Sequence, residues 1–261
     1  MRNNESVAVG TSKVLLVPYS THHVPKYHDW MKDPAIQEAT ASEPLTLEQE
    51  YNMQESWRQH PDKLTFIVCL PMADSNDARN TVKAGVLDAD KDMIGDVNMF
   101  LTTGDDEEDG ETRVIGELEL MIATKAHQNQ GQGRGALLAF LRYIAEHEYD
   151  IVDEVLSTGP HTCKSRRLSH VCAKIGEQNH RSIGLFESLG FVKTSTESSY
   201  FGEFELRRKS LSLEAIESLF EQYKIGNYSE MVYEDGHGTY CEHDPALSYI
   251  GMQSLPSSLA P

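Results

Sequence analysis

The stretch from Met121 to Leu141 reads MIATKAHQNQGQGRGALLAFL, and its succession of residue types decides the expected fold. A strand end, MIA, gives way to a short polar loop, then to glycines at 131, 133 and 135, then to an apolar run with helical spacing. Glycine lets several backbone N–H groups turn into one concavity, and a helix that starts just beyond adds the positive end of its dipole. Such a junction can cradle a diphosphate without any lysine. Two rival phosphate motifs do not fit. Walker A needs GKS or GKT after its second glycine, and the dinucleotide fingerprint GxGxxG is not matched by Gly131, Gly133 and Gly135.

Upstream of the junction, Val114 to Ala123 (VIGELELMIA) alternates, with Leu118, Leu120 and Ile122 on one side and Glu117, Glu119 and Met121 on the other. This predicts a strand with a dry face and a chemical face. Downstream, Ala136 to His147 places Leu137, Leu138, Leu141, Ile144 and Ala145 at amphipathic-helix spacing. Further strands are predicted at Lys13–Tyr19, Leu64–Leu70, Met93–Leu101 and His170–Ile175. A helix is expected over His22–Trp30, and another after Thr46, where Gln49 completes a capping box. A third runs from Asn179 to Leu189, closed by Gly190 with Phe191 behind it, and a hairpin over Phe191–Thr196 and Tyr200–Arg207 follows. Polar, aperiodic insertions near 71–92, 104–112 and 150–169 read as loops, the second being the acidic run GDDEEDGE. The expected organisation is one catalytic domain over 1–210, then 211–261 as a C-terminal helix (Leu213 to Tyr223) and a poorly ordered tail.

The 261 residues, 39% of them hydrophobic, suffice for one well-packed core. A net charge of −18 repels phosphate backbones, so nucleic acid is disfavoured as a partner, whereas an amine is attracted. No run approaches the length of a membrane span, and the polar opening MRNNESVAVG carries no secretory signal. Cys69, Cys163, Cys172 and Cys241 lie far apart without a CxxC pair, which fits a reducing, cytoplasmic setting. No metal is expected: His237, Cys241 and His243 have ligand chemistry but fall in the tail. Lys164, Arg166 and Arg167 are either an exposed basic loop or a contact for an adenosine phosphate.

The loop resembles that of the GCN5-related N-acetyltransferases (GNAT superfamily), Q/R-x-x-G-x-G/A at a strand-to-helix junction. Two registers fit, Gln128 to Gly133 and Gln130 to Gly135, and the first leaves the shorter loop usual in the family. NHRSIGLFESLGF, from Asn179, is similar to the N-x-x-S-x-x-L-x-x-x-L-G-F segment of the RimJ/RimL-like branch. ASEPLTLEQEY, the GDVN of Gly95 to Asn98 and GELELMIA resemble the N-acetyltransferase 9-like subfamily, so the likeness spans roughly Lys13 to Arg208. The resemblance implies a mixed α/β GNAT fold whose mostly antiparallel central sheet, flanked by helices, splays open at the cofactor site. It implies acetyl-CoA as cosubstrate, with its diphosphate on the amides of Asn129, Gln130, Gly131, Gln132, Gly133 and Arg134 in the loop opened by Gln128. Backbone groups of Met121, Ile122 and Ala123 would align the pantetheine arm. Asn179 would meet the cofactor, a role compatible with capping its helix.

An ammonium must lose a proton before its nitrogen attacks a thioester, and a nearby carboxylate can take it. Glu119, then Glu117, are the candidates, since mutual repulsion on one strand face would raise one pKa; otherwise both are ordinary solvated positions. Phe186 occupies the place where many relatives carry a tyrosine that protonates the leaving thiolate. The expected reaction is direct acetyl transfer to an amine, with a protein or peptide acceptor implied by the subfamily and N-terminus, lysine or polyamine left open. The alternative is a catalytically weak protein of the same fold that binds a partner such as a cytoskeletal filament.

Overall fold

The computed structural model describes residues 1–40, 42–72, 80–105, 112–158, 163 and 165–235. In chain order its elements are β1 (Val7–Gly10), β2 (Leu15–Pro18), α1 (Val24–Trp30), α2 (Pro34–Ala39), α3 (Leu47–Gln59), β3 (Lys63–Cys69), β4 (Thr81–Lys83), β5 (Met93–Asp105), β6 (Thr112–Ile122), α4 (Gln132–Ser157), β7 (Leu168–Gly176), α5 (His180–Ser188), β8 (Val192–Lys193), β9 (Glu203–Arg208), α6 (Leu213–Gln222) and β10 (Ser229–Glu234). The strands form one sheet in the order β4-β10-β1-β2-β3-β5-β6-β7-β9-β8. Only the β4–β10 and β6–β7 pairs are parallel among the described residues.

Alternation on the strands divides the core into two layers. On one face Leu64, Phe66, Val97, Met99 and Leu118 pack under α4, where Phe66 meets the rings of Phe140 and Tyr143 edge-on at 5.9 and 5.2 Å. On the other, Val17, Ile67 and Met121 pack against Tyr27, Trp30 and Met31 at α1. The capping box at Thr46 forms as the sequence predicts: Gln49 N–H donates to Thr46 Oγ1, and the Gln49 side chain accepts from Thr46 N–H.

Several boundaries differ from the sequence reading. The helix begun in the glycine junction does not stop at His147 but continues to Ser157, so the first part of the loop expected over 150–169, residues 150–157, is helical. Its charged turn, Glu146 to Asp150, is only a solvated interruption, after which Ile151, Val152, Val155 and Leu156 return to the core. The tail expected after 211 contains β10, in which Met231 and Tyr233 alternate inward, and it pairs with β1 more than 200 residues earlier in the chain. The 71–92 insertion contributes β4 to that same edge. Near 104–112 the two strands extend to Asp105 and from Thr112; most of the acidic run, Lys164, and the trio His237, Cys241 and His243 lie outside the described residues. Among the described residues no helix is long and apolar enough to cross a membrane.

Gly95 lets β5 and β6 approach closely. A Cβ there would stand 1.9 Å from the Met121 carbonyl oxygen, an impossible distance against backbone. Gly95→Ala is therefore expected to force the two strands apart and to cost about 2–3 kcal/mol, within the usual range for overpacking. Urea unfolding measures this directly, and an unchanged midpoint would refute the close approach.

Candidate functional site

β6 and β7 pair in parallel only as far as Glu117 opposite Cys172, yet β6 runs on to Ile122 and β7 to Gly176. Beyond Glu117 the two strands have parted, which is the splay the resemblance implies. A cleft of about 820 Å³ opens there, with Leu120 to Ile122 of β6 and Ala123 just beyond it on one side and Asn179, Arg181 and Ser182 at the start of α5 on the other. Gln128, Asn129, Gly131, Gly133 and Arg134 form its end wall, and Asp33, Ile36 and Thr40 of α2 close a further side.

The end wall is the glycine junction. Asn129 and Gly131 adopt left-handed backbone conformations (φ 62° and 90°), and Gly131 is the N-cap of α4. Gly135 N–H donates back to the Gly131 carbonyl oxygen, whereas the amides of Asn129, Gln130, Gly131, Gln132, Gly133 and Arg134 find no acceptor among the described residues. Six adjacent free donors at a helix N-terminus make a ready anion site. A Cβ at Gly131 would project into open space, and one at Gly133 would narrow the gap between Leu120 and Leu185. The register opened by Gln128 ends before Gly135, whose amide is engaged by the helix, while the one opened by Gln130 shares the remaining free amides.

Side chains of the loop brace it instead. Gln128 Nε2 donates to Ile122 O at 2.8 Å, and Gln130 Nε2 donates to Ala126 O. Arg134 lays its guanidinium over the Tyr223 ring at 4.1 Å and reaches Ser188 Oγ at 3.4 Å. Arg181 donates to Asn129 Oδ1 at 2.7 Å, tying α5 to the loop across the cleft. Asn179 caps α5, its Oδ1 accepting from Ser182 N–H at 3.1 Å, and the same residue lines the cleft.

Alternation corrects the expectation for Met121 and Ala123. Peptide groups of successive strand residues point to opposite edges, and here the Met121 carbonyl faces Gly95 while Ala123 N–H donates to Ile94 O at 2.9 Å, both toward β5. The peptide edge facing the splay belongs to Leu120 and Ile122; Met121 and Ala123 line the cleft without offering it those groups.

Glu119 and Glu117 share a strand face with Met121. They differ in what they meet. Lys174 Nζ donates to Glu117 Oε2 at 2.7 Å, so Glu117 is a paired carboxylate. Glu119 has no such partner among the described residues. Its side chain reaches solvent, yet burial of its carboxyl by the surrounding protein, then the charges of Asp96 and Glu117, push its pKa up to about 7 against the pull of Lys174. Asp96 on β5 is fully enclosed and raised to about 6 by burial, although Asn98 Nδ2 donates to its Oδ2 at 2.6 Å and Tyr27 OH at a long 3.4 Å. Phe186 is buried edge-on against Phe191, 5.0 Å between centroids, and offers no proton.

Asp96, Asn98, Lys174, Arg181 and all of α2 escaped the sequence reading as site residues. A signal existed for the first two: in GDVN, two polar residues two apart alternate with Val97 and Met99 on a strand that is buried on both faces.

A sequence profile for the acetyltransferase (GNAT) domain matches residues 13–192, and the chain belongs to the GNAT family of acetyl-CoA-dependent acyltransferases. Its relatives include an N-acetyltransferase 9-like protein of Schizosaccharomyces pombe, 39% identical over 79% of this chain and 97% of that one. The alpha/beta-tubulin-N-acetyltransferase 9 of Homo sapiens is 38% identical over 92% of this chain and the whole of its own length. Among solved structures, an acetyltransferase (GNAT family) from Bacillus anthracis shares the fold with a TM-score of 0.51 at 12% identity, covering 77% of this chain and 98% of its own.

Proposed function

We propose that this chain transfers an acetyl group from acetyl-CoA directly to an amine of a protein acceptor. The observation that carries the reading is the run of six free amides from Asn129 to Arg134, set at the point where β6 and β7 part; Glu119, two residues before the cleft-lining Met121 on the same strand face, has a raised pKa. Acetyl-CoA supplies the activated acyl thioester. The Asn129 to Arg134 amides hold its diphosphate, while Leu120 and the Ile122 N–H align the pantetheine arm along the open edge of β6. Asn179 and Arg181 border the same arm from α5. Glu119 takes the proton of the acceptor ammonium as the nitrogen attacks, and Glu117, held in an ion pair by Lys174, contributes part of the negative charge that keeps the Glu119 pKa raised. Since Phe186 is no acid, the thiolate leaves without help from that position, which a thiol's modest basicity permits.

A protein acceptor is favoured because the human relative's name specifies tubulin, and the choice between an N-terminal amine and a lysine follows from the peptide that turns over. Cys69, Cys163 and Cys172 are buried free thiols, in keeping with a cytoplasmic setting. The second reading, a cofactor-binding module with little turnover, is favoured by Phe186 alone. Thermal shift and thiol release separate the two. At acetyl-CoA a hundredfold above its Kd, binding is worth about 2.7 kcal/mol, and the melting temperature is expected to rise by roughly 5–10 °C. Thiol release with tubulin-derived peptides is expected to follow. A melting shift without thiol release would select the binding module, and no melting shift would remove the cofactor site itself.

A further inference from the structure

Among the described residues, three groups of His, Cys, Asp and Glu bring potential ligand atoms within 4.8 Å of one another. Two are already closed by hydrogen bonds. In the first, Ser20 N–H donates to His23 Nδ1 at 3.0 Å, so His23 Nε2 carries a hydrogen toward Asp88 and has no lone pair for an ion. In the second, His147 Nε2 meets both oxygens of Glu230 at 3.0 Å, Tyr228 OH donates to that carboxylate at 2.8 Å, and Arg142 Nε holds Glu146 at 3.0 Å. The third group is His170, Cys172 and Glu205. His170 and Cys172 alternate on β7 and so lie on one face of the sheet, the face on which Glu117 stands opposite Cys172. On β9, Arg207 lies opposite Cys172 and Glu205 opposite Lys174, so His170 and Glu205 flank Cys172 from its two ends. No local motif announces the group: His-x-Cys is short, and Glu205 belongs to another strand.

Cys172 is 4% exposed, whereas His170 and Glu205 are partly open to solvent, so the thiol is approached between its two flanking ligands. Further contacts brace both flanks. Ser169 Oγ lies 3.2 Å from His170 Nδ1, which leaves Nε2 the ligating role, and Arg207 Nε donates to Glu205 Oε1. Braces of this kind orient the ligands of a metal. The charges of Glu117 and Glu205 both act on the thiol, and the neighbouring cations, Lys174 and Arg207, are each paired to one of these carboxylates. We propose that His170, Cys172 and Glu205 form a site for one thiophilic divalent cation of the zinc type, whose fourth position opens to water. Thiolate with imidazole selects zinc over magnesium or calcium, and three protein ligands with one open position is an arrangement zinc adopts. Tetrahedral zinc at its ordinary bond lengths sets ligand atoms about 3.3–3.7 Å apart, so the trio closes on the ion by rotation of side chains while the sheet stays in place. Binding forms bonds from sulfur, nitrogen and oxygen to the metal and breaks the Cys172 S–H bond, whose proton passes to buffer; nothing is oxidised or reduced. The ion ties β7 to β9 beside the point where β6 and β7 part, and its binding is independent of the reading of acetyl transfer.

The test titrates the full chain, purified free of metal with its thiols reduced, first with Co²⁺ and then with Zn²⁺. Cobalt held by a thiolate gives a sulfur-to-metal absorption band, which is expected to saturate at one equivalent and to be displaced by Zn²⁺. Cys172→Ser should abolish that band and weaken Zn²⁺ binding by about 100-fold or more, since loss of an outer brace alone costs about 10–100-fold. His170→Ala and Glu205→Gln, at the partly exposed flanks, should each weaken Zn²⁺ binding by at least about tenfold, and they keep the test available if Cys172→Ser does not fold. Cys241→Ser controls for the rival donors His237, Cys241 and His243 and should leave the band in place. The site is overturned if the wild type shows no saturable band, or if the band survives Cys172→Ser and is lost in Cys241→Ser. Flank substitutions that leave Zn²⁺ affinity unchanged overturn it equally.

Discussion

Glu119→Gln is expected to lower kcat by about 10²–10³-fold while leaving acetyl-CoA affinity within twofold, because the substitution keeps the shape of the side chain and removes only its capacity to accept a proton. The affinity is spared because the diphosphate is read to sit on backbone amides of the loop, which Glu119 does not touch. The pH profile makes the assignment specific. With its pKa raised to about 7, Glu119 is a working base above that value and a carboxylic acid below it. The wild-type kcat/KM should therefore fall close to tenfold per pH unit below about pH 7, and this limb should disappear in the Gln variant. Glu117→Gln separates repulsion from catalysis. Removing its negative charge withdraws one of the causes that raise Glu119, so the acid limb should move to lower pH while the plateau rate changes little. Equal losses in both variants, or an acid limb that survives Glu119→Gln, would place the base elsewhere.

What the sequence made legible follows how locally each feature is encoded. The glycine junction was readable because its conformation is written in consecutive residues: Gly131 supplies the left-handed N-cap, and the helix period starts directly after it. The alternation of β6 placed Glu117, Glu119 and Met121 on one face for the same reason. Everything that depends on partners distant in the chain was hidden. Lys174 neutralises Glu117 from a neighbouring strand, and Arg181 braces Asn129 from another helix, neither carrying a local signature. The direction of the Met121 and Ala123 peptide groups depends on which edge β5 occupies, which periodicity alone cannot say. β10 shows the same limit at the scale of the fold. Its alternation, Met231 and Tyr233 inward, is present in the sequence, but six residues beyond a polar turn look like tail until β1 and β4 supply neighbours on both sides.

That distant edge is held by one buried carboxylate, and removing it is expected to have the largest effect on stability of any single substitution considered. Asp88 is fully enclosed. Its Oδ2 accepts from His22 Nε2 and His23 Nε2, each at 3.0 Å, and from Tyr233 OH at 2.6 Å, while Oδ1 accepts from Gly85 N–H at 2.6 Å. These bonds join the insertion, the turn before α1, and β10. Burial alone would raise the Asp88 pKa, but the donors from His22, His23 and Tyr233 outweigh it and hold the carboxyl far below the ordinary carboxylate range. His23 is itself lowered, by burial first, and its Nδ1 accepts from Ser20 N–H, so Nε2 carries the hydrogen given to Asp88. Asp88→Ala leaves these donors facing an apolar gap and is expected to cost about 3–5 kcal/mol, in line with removal of one partner from a buried charged cluster. The melting temperature should fall by roughly 6–20 °C. The sign with pH follows for both groups. A depressed carboxyl contributes stability above its unfolded pKa of about 3.9 that is lost as the pH falls further, and a depressed histidine disfavours the folded state once the pH falls below about 6.5. The raised carboxyls of Glu119 and Asp96 contribute the opposite trend in both proteins, so the quantity to read is the stability difference between wild type and Asp88→Ala, which should shrink as the pH falls below about 4. Denaturant unfolding of both proteins at pH 7, 5 and 3.5 measures this. If Asp88→Ala matched the wild type at pH 7, β10 and β4 would be held by their backbone pairing alone, and α1, which carries Tyr27 to Asp96, would need some other anchor.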